Sequence, residues 1–334
     1  MTLCSVTTFS DAAHFEHAIR AAESKIHAIA PGSFRAQLTK IDLNSLWLQA
    51  GIEILPRTAH FAIPEERAPI MFLADENEPA VQHSGHALTS ESILFWGSGA
   101  SHYHRAAKAT RWATMSLTPS RLAEESLNLT GRPLTVPETS QILTPRHASS
   151  FARLRKLHSD ARSLASRSPE ILDIPEVARA LEAALAHSMI SCLTEVETPA
   201  ADLTTRQHLA IMTRLEEFLV SNQSRALYLS DICQAVGASE RTLRRCCQEH
   251  LGVGPNSYLM MRRLHLANRA LRTADHRSQT VTEIAMAFGF WDLGRFAAAY
   301  RALFGEMPRT TLDRAPTDPV APSMGGLPHM AGIT

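Results

Sequence analysis

Near its C-terminal end the chain repeats itself once, and this repeat restricts the fold more than any other feature. Ile232 and Gly237 recur 52 residues later as Ile284 and Gly289. After one extra residue, Ser239, Leu243, Gly252 and Pro255 recur 53 residues later as Asp292, Phe296, Gly305 and Pro308. Six positions in register describe two copies of one local structure that packs against its own neighbour.

Each copy reads as two short helices around a turn. In the first, Ser230 can cap a helix by accepting from its free first-turn amides, Gly237 can take the positive φ that ends it, and Ser239 caps the next helix. Leu243 and Cys247 then face inward. In the second, Thr282 and Glu283 open the helix, Gly289 closes it and Asp292 caps its successor, with Phe296 and Tyr300 inward. This is the grammar of a helix-turn-helix. Between the copies, Tyr258, Met261, Leu264, Ala267 and Leu271 keep helical spacing from Ser257 to Leu271, a helix of roughly 22 Å. Such a spacer suits two helices set in successive major grooves, which lie about 34 Å apart.

The net charge of zero divides unevenly. Residues 224–310 carry twelve Arg, no Lys and seven acids, a net of +5, so the remainder carries −5. That asymmetry fits one nucleic-acid-binding domain joined to one that is not.

The stretch L-x-D-I-C-x-x-V-G-A-S-x-R-T-L from Leu229 to Leu243 closely resembles the AraC/XylS regulators. So do the Gly254-Pro255 turn, Met261-Arg262-Arg263-Leu264, V-T-E-I-A-x-x-x-G-F from Val281 to Phe290, and F-G-x-x-P at Phe304 to Pro308. The string from Gly289 to Phe296 is similar to a G-F-W-x-L-G-x-F subgroup that includes ethanolamine-operon-type regulators. The resemblance implies a sequence-specific DNA-binding transcription regulator, an effector-responsive activator, with promoter operator DNA and RNA polymerase as partners. It also implies that Arg241, Arg244 and Arg245 face base edges, with Thr242 beside them. Arginine can bridge O6 and N7 of guanine, which discriminates by about 1–3 kcal/mol per good contact. The plainer alternative for each is a solvated basic face that touches only phosphate.

The second copy departs from this pattern. Gly294, Ala297 and Ala298 stand where the first has Arg241, Arg244 and Arg245, which leaves Arg295 as the long polar residue near the helix start. The first unit is therefore expected to carry most of the specificity, with Arg295 as the base-reading candidate of the second, and the second mostly to dock on phosphate through Arg295 and Arg301. Ser239 and Trp291 are further docking candidates, although for Trp291 packing beside its turn is the commoner outcome.

Before the repeat the texture differs. Asp11 to Ser24 places Phe15, Ala18, Ile19 and Ala22 at helical spacing. From Ile26 to Leu117 the period falls to two, as in Phe34/Ala36/Leu38, Ile41/Leu43, Leu46/Leu48 and Ile93/Phe95, which predicts strands and a small barrel. Helices are expected over 119–129, 146–167 and 175–194, the second with a stripe of Leu154, Leu157, Ala161, Leu164 and Ala165. Glu195 to Asp202, with Pro199, reads as linker, and the tail with Pro316, Pro319, Pro322 and Pro328 as disordered.

The segment from Leu88 to His102 looks like a cupin strand-turn-strand, and AraC-type regulators usually join a cupin-like effector barrel and a dimerising helix to the DNA-binding part. The fold class this implies is α+β in two domains. Residues 1–198 are expected to form a cupin-like β-barrel with flanking helices for effector sensing and dimerisation, and 199–204 the linker. Residues 205–312 are expected to be all-α, two helix-turn-helix units on a linker helix, before a tail at 313–334. Trp47, His60, Trp96, Tyr103 and Trp112 are the candidate walls for a small-molecule effector, though any of them can be plain core.

Two other classes compete. An effector-independent DNA-binding regulator would use the N-terminal domain only to form a homodimer. A metal-dependent cupin enzyme would draw on His83, His86, His102 and His104, but Arg105 to Lys108 follow where a ligating Glu belongs. No G-x-S-x-G, H-E-x-x-H, P-loop or G-x-G-x-x-G pattern occurs either. No catalytic residue, metal or cofactor is therefore expected. Met1 to Ser10 lacks the basic and apolar regions of a signal peptide and no run of about 18 apolar residues occurs. Five Cys lack C-x-x-C spacing, which fits free thiols in a reducing compartment, so a cytoplasmic chain with no membrane partner is expected.

Overall fold

The computed structural model describes residues 3–20, 23–99, 101–197, 203–222 and 227–314. The N-terminal part opens with β1 (Leu3–Phe9), α1 (Ala12–Ala18), β2 (Glu23–Ala28), β3 (Ala36–Asp42), β4 (Trp47–Glu53) and β5 (Arg57–Ala62). It continues through β6 (Ala68–Leu73), β7 (Val81–His83), β8 (His86–Leu88), β9 (Ile93–Phe95), β10 (Ser101–Ala106) and β11 (Thr110–Leu117). Then come α2 (Pro119–Thr130), β12 (Gln141–Pro145), α3 (Ala148–Arg167), α4 (Pro169–Leu172), α5 (Pro175–Thr194) and β13 (Val196–Glu197). The C-terminal part is helical: α6 (Leu203–Ser221), α7 (Leu229–Val236), α8 (Glu240–Leu251), α9 (Pro255–Thr273), α10 (Val281–Ala287), α11 (Leu293–Phe304) and α12 (Pro308–Asp313).

The mixture of sheet and helix agrees with the sequence reading, but the closed barrel does not. The strands form two antiparallel sheets, one in the order β1-β3-β4-β11-β6-β9-β12-β13 and the other β2-β5-β10-β7-β8. Alternating residues report that a strand has two faces; they carry no record of which edges meet, so period two alone could not distinguish a sandwich from a barrel. The segment from Leu88 to His102 illustrates this, because β9 lies in the larger sheet and β10 in the smaller.

The two sheets and the helices form layers. Between the sheets, Ile26, Leu38, Phe61, Met71, Trp96 and Trp112 make one core with Phe15 of α1. Ile70, Phe72 and Met115 of the larger sheet point the other way, onto Leu154, Ala161, Leu185 and Met189 of α3 and α5. Strand β6 is thus buried on both faces, which accounts for its unbroken apolar run from Ala68 to Leu73. The apolar stripe of the helix expected over 146–167 is used within the chain: Leu154, Ala161 and Ala165 are buried in this layer.

Other differences are local. The first helix stops at Ala18, and Glu23–Ala28 pairs with β5 instead of continuing it. Strands β1 and β12 were not anticipated; β1 pairs along its whole length with β3, and β12 with β9. The expected linker falls partly on 198–202, and the tail from 315 onward, outside the described residues. No helix among the described residues is long and apolar enough to cross a membrane.

Candidate nucleic-acid interface

The first repeat unit is α7, a turn and α8. Tyr228, not Ser230, holds the cap position of α7, and Gly237 closes it at φ 65°. The Ser230 hydroxyl lies inside the helix and reaches only its neighbour Asp231, at 3.4 Å. Ser239 caps α8 as the sequence predicts, its hydroxyl accepting from the Thr242 amide at 3.2 Å. Leu243, Cys246, Cys247 and Leu251 bury one face of α8, so Arg241, Arg244 and Arg245 come out exposed on the other. Burial pushes the Cys247 thiol up to about 12, which makes it packing and not a nucleophile.

The three arginines differ in their surroundings. Arg241 has no side-chain partner among the described residues. Arg244 pairs with Glu240 one turn back, both well exposed, a contact worth only about 0.3–0.5 kcal/mol and readily exchanged for DNA. Arg245 Nη2 stands 2.9 Å from His208 Nε2 of α6, and His208 Nδ1 stands 2.6 Å from Glu249 Oε2. An imidazole that donates from Nδ1 to Glu249 and accepts at Nε2 from Arg245 satisfies both. Thr242 is engaged in the cap, its hydroxyl 2.9 Å from that of Ser239.

The second unit is α10, a turn and α11. Thr280 replaces the expected Thr282 as cap and forms a capping box with Glu283. Hydrogen bonds from the Thr280 amide and hydroxyl hold the Glu283 carboxyl below its usual range. Gly289 takes φ 76° in the turn. Asp292 caps α11, accepting from the Arg295 amide at 3.0 Å. On α11, Phe296 and Tyr300 are buried, while Gly294, Arg295, Ala298 and Arg301 are exposed and Ala297 half-buried. The Arg295 side chain is 89% exposed. Trp291 is 75% exposed, so it does not pack beside its turn.

Helix α9 carries both units: Tyr258 and Met261 belong to the core of the first, Leu264, Ala267 and Leu271 to the core of the second. Residues 232–314, from the middle of α7 to the end of α12, match the model of a helix-turn-helix domain. Over 99 residues the chain is 33% identical to a XylDLEGF operon transcriptional activator of Pseudomonas putida, covering 30% of this chain and 63% of that one. Over 153 residues it is 33% identical to a probable thc operon regulatory protein of Rhodococcus erythropolis, covering 43% of this chain and 46% of that one. The C-terminal part is an AraC/XylS-type helix-turn-helix domain. The crystal structure of a probable AraC family transcriptional regulator from Rhodopseudomonas palustris is 32% identical, covers 31% of this chain and 96% of that one, and has a TM-score of 0.29. The chain thus spans less than two thirds of the Pseudomonas activator and of the Rhodococcus regulatory protein that it matches.

The AraC/XylS-type domain is seated on the outer face of the smaller sheet. Glu216 of α6 is the hub. Its Oε1 lies 3.2 Å from Lys25 Nζ and 3.6 Å from Arg262 Nη2, and its Oε2 lies 3.1 Å from the Tyr103 hydroxyl and 3.3 Å from that of Tyr258. Burial works against the charged carboxyl, but Arg262, His60 and Lys25 outweigh it and hold the group below its usual range. Arg269 and Arg272 of α9 extend the seam by pairing with Glu16 and Asp11. Sequence reasoning missed Glu216. Its signal was an acid on the apolar stripe of Met212, Leu215 and Leu219, where an unpaired charge would be costly.

The effector candidates separate onto two faces. Trp47, Trp96 and Trp112 line one cavity between the sheets. His60 and Tyr103 lie on the opposite face of the smaller sheet, their rings 5.0 Å apart, against the AraC/XylS-type domain. Strand β5 has both environments. Arg57 and Phe61 face the cavity and His60 faces the domain.

His83, His102 and His104 do come together. His83 Nδ1 is 2.9 Å from His104 Nε2, and His102 Nε2 is 2.8 Å from the Ser140 hydroxyl. Burial keeps all three imidazoles below their usual pKa, His102 at about 3. His86 is exposed. Among the described residues no group of His, Cys, Asp or Glu is placed to hold a metal ion.

Proposed function

We propose that the whole chain is a DNA-binding transcription regulator that activates from a promoter operator in response to a small molecule. The observation that carries this reading is the pair of capped helix-turn-helix units on one spacer helix, with Arg241 and Arg244 exposed at the start of α8. Arg241, Arg244 and Arg245 read base edges with Thr242 beside them. Ser239, Arg295, Arg301 and Trp291 hold the backbone: arginine for phosphate, an exposed indole for sugar or base-step contact. The likeness of the Gly289 to Phe296 string to ethanolamine-operon-type regulators belongs to this reading, as do a cytoplasmic homodimer and contact with RNA polymerase.

Effector response is favoured over a constitutive regulator by the placement of β5, which touches the cavity on one face and the DNA-binding domain on the other. A ligand that shifts Arg57 or Phe61 has a direct path to His60 and the Glu216 hub, and so can favour one domain arrangement. Selecting bound sequences from a random DNA library with the full chain tests the function. A recovered site with two contacted segments about one helical turn apart supports it, and no enrichment at low salt rules it out.

A further inference from the structure

We propose that His208 of α6 is a positioning residue for DNA reading, holding Arg245 so that the first unit distinguishes bases more sharply. The inference rests on the reading of α8 as the base-reading helix, and it adds a residue that lies outside both repeat units. Its basis is the juxtaposition of a buried imidazole with an exposed guanidinium. His208 Nε2 lies 2.9 Å from Arg245 Nη2, and His208 Nδ1 lies 2.6 Å from Glu249 Oε2. The imidazole is 5% exposed and the Arg245 side chain 60%, so the anchor sits in the core while the arginine stands in solvent.

The anchor is firm because of the helix that bears it. His208, Ile211, Met212, Leu215, Glu216 and Leu219 are buried at helical spacing on α6 and form the side that packs within the first unit. Two members of this stripe are polar. Glu216 fastens α6 to the smaller sheet and to α9, which steadies His208 about two turns earlier. An apolar side chain would fill the place of His208 without a desolvation cost, whereas an imidazole there needs a partner for each nitrogen. Glu249 satisfies Nδ1 and so fixes the tautomer that leaves Nε2 as an acceptor. What Nε2 accepts is a residue of the reading face.

The consequence is preorganisation. Arg241 has no side-chain partner among the described residues and Arg244 has only the exposed Glu240, so both must lose side-chain freedom when they meet DNA. Arg245 has lost part of it beforehand. Its guanidinium carries five N–H donors; one is taken by His208, and the rest suffice for the two bonds to O6 and N7 of a guanine. A free arginine can swing to another acceptor when that guanine is replaced. A tethered one cannot follow, so the tether sharpens discrimination as well as affinity.

The test measures binding of the full chain to its selected operator and to single-base variants of that operator. The proteins compared are the wild type, His208→Leu and His208→Gln, each also combined with Arg245→Ala. His208→Leu is expected to lower discrimination about two- to tenfold at the one base pair that Arg245→Ala affects, and to leave the other pairs unchanged. His208→Gln should restore it, because a glutamine amide can donate to Glu249 and accept from Arg245. With Arg245 already replaced, His208→Leu should have no further effect on base preference. A purely structural role would weaken every sequence alike, and in both backgrounds. Unchanged discrimination in His208→Leu, a loss spread over all base pairs, or a loss that persists beside Arg245→Ala would overturn the proposal. Should the leucine variant not fold, Glu249→Ala replaces it on the half-exposed side of the contact: a loss at the same base pair is expected, and none overturns the inference. The underlying reading fails separately. If Arg245→Ala changes no base preference, the role of Arg245 as a reader falls and this inference with it; if Arg245→Ala alters preference and His208→Leu does not, this inference alone falls.

Discussion

The two helix-turn-helix units share caps and turns but differ in what stands behind them. The core of the first contains Tyr103 from the N-terminal sheet, with Ile29 packed beside it. The core of the second is built from α9 to α12 alone. The first also carries the arginine-bearing face and the second an alanine face. Duplicated units have thus diverged at two surfaces while their local fold stayed fixed. The unit proposed to read DNA is the one wired to the proposed sensing domain.

The largest test of that contrast is Glu216. Replacing it by Ala leaves the buried Arg262 and the half-buried Lys25 without their counter-charge, and loss of one partner from a buried pair costs about 3–5 kcal/mol. The corresponding polar contact in the second unit, Asn268 Nδ2 to the Tyr300 hydroxyl, is neutral, so Asn268→Ala should cost about 1 kcal/mol. Urea denaturation of the full chain measures both. Equal losses would show that the two units are anchored alike.

Acid should separate the units next. His250 at the end of α8 and His265 of α9 are each held at about 4 by burial, and His27 against His265 is also pushed down, with Arg269, Arg262 and Lys25 adding to its shift. An imidazole with a folded pKa below its unfolded value gains its proton on release. Stability is therefore full above about pH 6.5 and falls as pH drops toward 4, by at most about 1.4 kcal/mol per pH unit for each group. No histidine lies in 281–314, so α10 to α12 lack this liability. Amide exchange at pH 7 and pH 5 should show α8 and the sheet-facing side of α9 losing protection before α11. Simultaneous loss would contradict the contrast.

How far the sequence revealed this depends on the range of the interactions. The caps at Ser239 and Asp292 and the inward Leu243, Phe296 and Tyr300 were legible because each depends on residues within one or two turns. Ser230 and Thr282 lie two residues past the true cap positions: at α10 Thr280 is a second capping residue type and only the chain path selects it, whereas at α7 the cap position is Tyr228, whose side chain makes no capping hydrogen bond and so carries no signal. The cavity was half legible. Trp47, Trp96 and Trp112 were named as wall residues and share it, whereas His60 and Tyr103 were named for the same reason and lie behind it. Strand alternation gives two faces but not what covers each, so these five residues could not be sorted. His208 and Glu216 were invisible for a related reason: their partners come from other strands and helices.

The reading surfaces should differ by kind as well as by size. Arg241→Ala is expected to remove about 1–3 kcal/mol of preference at one base pair. Arg295→Ala should weaken all sequences nearly equally and lower the salt dependence by about one ion, the signature of a phosphate contact. Binding to a panel of single-base operator variants at several salt concentrations distinguishes them. A change of preferred base with Arg295→Ala would make the second unit a reader too.

The smallest expected difference is also the cleanest, because it compares identical positions. Helices α8 and α11 end on Gly252 at φ 70° and Gly305 at φ 76°, a backbone that side chains resist. Alanine at Gly305 would meet nothing within 4 Å, so its cost should be the backbone strain alone, about 1–2 kcal/mol. Alanine at Gly252 would bear the same strain and also place its Cβ 2.2 Å from the guanidinium of Arg105 on β10. Arginine can move, so the excess should be modest, about 1 kcal/mol, and should come from the seam between domains. Combining Gly252→Ala with Arg105→Ala removes the obstruction. Measured against Arg105→Ala alone, the glycine substitution should then cost no more than it does at Gly305. If the excess persists without Arg105, the first unit differs from the second within its own turn, and its contact with the sheet is not the cause.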